Sequence, residues 1–129
     1  MNKLDKESVT GITALLVHAA NIDEIYSEHE KDLIKDFIKS YLKDVDVNEI
    51  LKNAEKIESN SNQLLNYTNI IKQKSMEIKK DIIEHLWKVI ISDNTVDQYE
   101  SNLMRRICGL IYFEDKECAE IKLKLINNK

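Results

Sequence analysis

Two acidic stretches in this 129-residue chain have residue types and spacing suited to holding a hard cation. In "SDNTVDQYESNLMRRI", residues 92–107, Asp93, Asp97 and Glu100 stand just ahead of a strongly apolar run. The stretch "IDEIYSEHEKDLIKDF", residues 22–37, aligns with it without a gap: Asp23 falls on Asp93, Ser27 on Asp97, Glu30 on Glu100, Leu33 on Leu103 and Phe37 on Ile107. The offset is constant at 70 residues, from 23 to 93. The second stretch would bring three carboxylates to one short loop, with a backbone carbonyl near Thr95 as a further oxygen. Ca²⁺ and Mg²⁺ favour oxygen ligands of this kind, and Ca²⁺ takes about six to eight of them. In the first stretch the hydroxyl of Ser27 replaces one carboxylate, so the second loop is expected to bind better. His29, beside the first loop, could add a nitrogen and draw that site toward a transition metal, which keeps Zn²⁺ and Mn²⁺ as alternatives. Neither loop is an EF-hand, which needs Gly at its sixth position and a bidentate Glu at its twelfth.

The same residues have a second reading. Ser27-x-x-Glu30 and Asp97-x-x-Glu100 are capping boxes, in which the first side chain bonds an orphan backbone NH and the Glu reaches back to the cap. A cap contributes about 1 kcal/mol and needs no ligand. Asp46 to Glu49 repeats the pattern where no second copy of the acidic loop exists. Capping does not account for Asp23 and Asp93, which fall where the preceding helices should end. A carboxylate there faces the negative end of the helix dipole. On the residues alone, cation site and capped turn both stand.

These loops need helices to position them. With no Pro, two Gly and much Lys, Glu, Leu and Ile, the chain favours helix over strand. Val9, Ile12, Leu16, Ala19 and Ala20 predict a first helix over residues 7–22. A second follows Ser27 with Leu33, Ile34, Phe37, Ile38 and Tyr41. A third opens after Asp46 with Ile50, Leu51, Ala54 and Ile57. The polar "ESNSNQ", residues 58–63, reads as a turn before a fourth helix through Leu64, Leu65, Tyr67, Ile70 and Ile71. Ser75 caps a fifth, whose broad apolar surface from Ile78 to Ile90 predicts the most buried helix of the fold. A sixth follows Asp97 with Leu103, Met104, Ile107, Leu110 and Ile111. A seventh follows Asp115 with Ala119, Ile121, Leu123 and Leu125. The reading is an all-α single domain of about seven helices over residues 1–129. Its two related halves, about 8–57 and 75–126, are expected to pack about a pseudo-two-fold axis.

Composition narrows the function. With 43% hydrophobic and 33% charged residues the chain reads as globular. The longest apolar stretch, residues 12–20, is interrupted by His18 and is shorter than the ~20 residues of a membrane span. "MNKLDKES" lacks the features of an export signal, so a cytoplasmic location and no direct membrane insertion are expected. Net charge is −4, and residues 1–64 carry 8 basic against 13 acidic side chains, which argues against nucleic acid as a partner. The Lys72 to Lys80 segment and Arg105-Arg106 read as solvated helix faces. Cys108 and Cys118 are expected as reduced thiols in or near the core. His18 and His85 are expected packed or hydrogen-bonded, and Trp87 belongs to the core or its edge. No phosphate loop, nucleophile elbow or zinc-protease helix is present, so no catalytic residue is assigned and the chain is read as non-enzymatic.

The segments "ALLVHAANIDEIYSEHEKDLI" and "LWKVIISDNTVDQYESNLMRRICGLIYFEDKECAEIKLKL" resemble the tellurite-resistance protein B family, the TerB-like domains, and most of all its short single-domain bacterial members. The resemblance extends from about residue 8 to 125 and rests on an apolar helix running into an Asp, then a hydrophobic residue, a small polar or acidic cap and Glu, found twice. The Gly usual after the Asp is Glu24 in the first copy and Asn94 in the second. Asn tolerates the left-handed backbone that Gly would serve better than Glu does. The resemblance implies an all-helical fold and an acidic cation site, which by position would use Asp23, Glu30, Asp93, Asp97 and Glu100. It also implies a role in tellurite or other stress responses beside a protein partner that is itself membrane-associated. The competing expectation is a metal-independent interaction adaptor that uses its acidic face.

Overall fold

The computed structural model describes residues 4–21, 26–60, 64–92 and 98–127. Among these there are seven α-helices and no strand: α1 (Lys6–Ala20), α2 (Glu28–Tyr41), α3 (Val47–Asn60), α4 (Leu64–Lys72), α5 (Met76–Ile91), α6 (Gln98–Leu110) and α7 (Asp115–Asn127). None is long and apolar enough to cross a membrane.

Short polar side chains set where the helices begin. Asp5 caps α1 by accepting from the Ser8 amide at 2.7 Å. Ser75 caps α5 by accepting from the Ile78 amide. Asp46 Oδ1 accepts from the amides of Asn48 and Glu49 at the start of α3. Such caps satisfy backbone donors that the helix itself leaves unpaired. The end of α6 uses a different device. Phe113 donates its amide to the Cys108 carbonyl at 2.8 Å, and Tyr112 stands at φ 61° between them. This is the left-handed reversal that usually falls to Gly. Here Tyr occupies it, with Lys72 Nζ 4.9 Å from the centroid of its exposed ring.

The expectation that α5 is the most deeply buried helix is corrected. In α1 every residue from Gly11 to Val17 is buried, and so are Val9, Ala19 and Ala20. Four helices, α2, α3, α4 and α5, pack around it. Small residues allow that approach: a Cβ built on Gly11 would lie 2.5 Å from Ile70 Cδ1 of α4. Thr13, the polar interruption of the apolar pattern, is wholly buried because its hydroxyl donates to the Val9 carbonyl at 2.6 Å. Helix α5 lies second, packed against α1, α2, α4 and α7. Four residues assigned to apolar faces are instead exposed, namely Ile57, Leu65, Ala119 and Leu123. On α7 the covered face runs through Cys118, Ile121 and Leu125, so Ala119 and Leu123 point away from it. Lys79 also departs from the solvated-face reading, since most of its side chain is covered.

A polar seam joins α2 to α5. The Tyr41 hydroxyl donates to Asp81 Oδ2 at 2.6 Å, and His85 Nε2 lies 3.6 Å from the same oxygen. Phe37 packs its ring against both Tyr41 and His85, with centroids 5.2 Å apart in each pair. Burial lowers the His85 pKa and outweighs the opposing pull of Asp81. The unfolded chain therefore binds a proton here more readily than the folded one. The stability this represents is complete above the ordinary His range and is lost as pH falls through it toward the folded value. Thermal unfolding of the wild type should thus show a midpoint that declines below about pH 6.5. In His85→Gln that part of the decline should be absent.

Candidate metal centre

The described residues on either side of the first acidic loop meet acids, Glu58 of α3 at its entrance and Glu30 of α2 at its exit. At its entrance, Asn21 caps α1 and donates from Nδ2 to Glu58 Oε2 at 3.3 Å, while His18 Nδ1 lies 3.5 Å from Glu58 Oε1. His18 thus has the partner expected of a packed histidine. At the exit, Ser27 and Glu30 form a complete capping box. The Glu30 amide donates to Ser27 Oγ at 3.1 Å, and the Ser27 amide donates to Glu30 Oε1 at 2.8 Å. The local reading of these two residues as a cap is therefore correct.

Capping alone does not require the Glu30 side chain to be covered, yet the residue is only 7% exposed. Glu100, at the matching place in the first turn of α6, is 3% exposed. Covered carboxylates are uncommon, because taking the charged group out of water is expensive unless it is compensated. Beside Glu30 stands Tyr26, whose ring carries Lys31 Nζ at 5.0 Å from its centroid. The Tyr26 hydroxyl is buried and makes no hydrogen bond of acceptable geometry, although the Glu55 carboxylate is within reach of it. Burial first, then Glu55, Glu30 and Glu28, push this phenol far above its ordinary pKa. A covered oxygen in a field this negative suits a neighbouring cation or the water that a cation holds.

Of the six residues assigned to cation binding from the sequence, Ser27, Glu30 and Glu100 are described, and Asp23, Asp93 and Asp97 lie outside the described residues. No three His, Cys, Asp or Glu side chains among the described residues are gathered closely enough to hold an ion. His29, the candidate nitrogen ligand, is exposed on the first turn of α2. Three residues of the first loop's surroundings escaped sequence reasoning: Tyr26, Glu55 and Glu58. Glu55 and Glu58 lie one helical turn apart, an acidic i, i+3 pair that directs both carboxylates the same way. Its purpose is visible only once α3 is known to pack on α1 and α2. Seventy residues further on, the chain has Leu125 and Asn128, so the second loop has no corresponding pair.

No curated protein and no solved structure matched the chain in comparisons with known proteins. The family model described as tellurite resistance protein TerB matches residues 10–123, which takes in both acidic stretches, α2 to α6 and most of α1 and α7. With that match over most of its length, the chain belongs to the TerB family.

Proposed function

We propose that this TerB-family chain is a non-enzymatic module that binds a divalent cation through its acidic interhelical loops. In this reading it serves a stress-response complex, of the tellurite-resistance kind, or an envelope-associated one through a protein partner. The observation that carries the reading is the pair of covered carboxylates, Glu30 and Glu100, set 70 residues apart in the first turns of α2 and α6. Asp93 and Asp97 would complete the second site, and Asp23 with Ser27 the first. The Tyr26 hydroxyl, with Glu55 and Glu30 around it, supports a cation at the first loop. Ca²⁺ or Mg²⁺ suits the oxygen-rich donor set, with Mn²⁺ or Zn²⁺ the alternatives. The cation would supply charge neutralisation that ties a loop to its helix start.

Ligand and cap separate cleanly in thermal unfolding. Ser27→Ala removes a cap and should lower stability by about 1 kcal/mol with or without cation. Glu30→Gln keeps a carbonyl oxygen for the Ser27 amide, so in chelator its effect should stay within about 0.5 kcal/mol. A saturating cation at 100 times its dissociation constant should stabilise the wild type by about 2.7 kcal/mol. Asp93→Asn should leave the chelated protein unchanged or slightly more stable, through relief of the dipole, and should lose most of the gain from cation. If Asp93→Asn behaves identically in chelator and in Ca²⁺, Mg²⁺, Mn²⁺ and Zn²⁺, the loop is a capped turn and the adaptor reading takes its place.

The paired-site idea makes a geometric demand as well. In a crystal structure, residues 8–42 should superpose on residues 78–112. Unrelated packing of the two segments would reduce the 70-residue correspondence to a coincidence of capping signals.

A further inference from the structure

Away from the acidic loops, α5, α6 and α7 bring together two thiols and an indole. Cys108 of α6 and Cys118 of α7 are both free and buried. Trp87 of α5 donates its Nε1 hydrogen to Cys118 Sγ at 3.3 Å. The Cys108 thiol is the side chain that most influences the same sulfur. Cys118 Sγ thus accepts from the indole, a bond that the other thiol of the pair does not receive. Hydrogen bonds onto a sulfur favour its charged form, and the thiolate is the nucleophile. The two thiols are the largest influence on each other, lowering the Cys118 pKa and raising that of Cys108. Burial and Asp115 oppose the Cys118 thiolate, and Lys122 favours it. Lys122 Nζ stands 5.3 Å from the centroid of the Trp87 ring.

Access differs between the two sulfurs in the same sense. Cys118 keeps 6% exposure and lines a surface cleft of about 550 Å³ together with Trp87, Met104, Arg105 and Lys122. Cys108 has no exposure and is not among the residues lining that cleft. A small oxidant arriving from solvent meets Cys118 first, with the more deeply buried Cys108 behind it. Two inert core thiols would need neither this asymmetry nor the cleft.

We propose that Cys118 and Cys108 form a peroxide-responsive dithiol, in which Cys118 attacks a small hydroperoxide and Cys108 then closes a disulfide between α6 and α7. In the first step the Cys118 thiolate attacks the terminal peroxide oxygen and the O–O bond breaks. The sulfur gives up two electrons and becomes a sulfenic acid, and the departing alkoxide or hydroxide takes a proton and leaves as an alcohol or water. In the second step the Cys108 sulfur attacks the Cys118 sulfur. The S–O bond breaks, the hydroxide leaves as water with the proton of Cys108, and the S–S bond forms. Two thiols and one hydroperoxide thus become one disulfide, one alcohol or water, and one further water. The proposal does not depend on cation binding.

The full chain, reduced and freed of reductant, is exposed to a few equivalents of hydrogen peroxide, unfolded, alkylated and weighed intact. Both thiols should be lost together, with a mass lower by two hydrogens, in a species that stays monomeric and regains both thiols in dithiothreitol. In native protein iodoacetamide should modify Cys118 at least about tenfold faster than Cys108. In Cys108→Ser, peroxide should leave a sulfenic acid at Cys118 that dimedone captures. Retention of both thiols by the wild type, a disulfide between chains, or faster alkylation of Cys108 would each overturn the proposal. The wild-type measurements decide the matter even if the variant fails to fold.

Discussion

Everything else in this fold follows from the need to surround α1. A helix apolar on one stripe can lie on a surface, but one with seven consecutive covered residues has no side left for water. Four other helices enclose it, all of them from later in the chain, α2, α3 and α4 next along and α5 beyond. Burying each large aliphatic side chain contributes about 1.5–3 kcal/mol, so the contacts of Ile12, Leu15 and Leu16 make the α1 position hard to shift. Because α1 is fixed, so is its last turn, where the first acidic stretch begins. Glu58 meets Asn21 and His18 there, and the first acidic stretch starts from a defined place beside α3.

What the sequence makes legible is what local chemistry decides. The starts of α2, α3 and α5 follow from Ser27, Asp46 and Ser75, whose side chains bond amides two or three residues on. The reciprocal bond from Glu30 to the Ser27 amide was equally readable, because both partners lie within one turn. The burial ranking of α1 and α5 was not readable in the same way. Thr13 and His18 interrupt the apolar pattern of α1, and only a backbone carbonyl for one and Glu58 for the other make their placement tolerable. Exposure of Leu123 and Ala119 has the same origin: α7 offers more than one apolar stripe, and its packing against α5 and α6 chooses between them.

The candidate site divides along the same line. Glu30 and Glu100 could be picked out by a constant spacing, whereas Tyr26, Glu55 and Glu58 belong to it through contacts between segments some 30 residues apart in the chain, as in the 37-residue separation of Asn21 and Glu58. The thiol pair is a further case. A spacing of ten positions from Cys108 to Cys118 signals nothing in itself. The reversal at Tyr112 turns α7 back on α6, and Trp87, 31 residues before Cys118, completes the group.

Helix α7 differs from α1 in how much holds it. Its buried residues are Cys118 and Ile121, it packs chiefly on α5 and α6, and Leu123 and Ile126 face outward. Proteins open in cooperative units whose free energies run from near zero up to that of global unfolding. Here α7 can leave while α2, α3, α4 and α5 stay packed on α1, and its departure uncovers one side of α5 and of α6. Amide hydrogens of α7 should therefore exchange with solvent through local opening, long before those of α1, which exchange only when the whole domain comes apart. The corner of the molecule that holds Trp87 and Cys118 lives on that shorter clock.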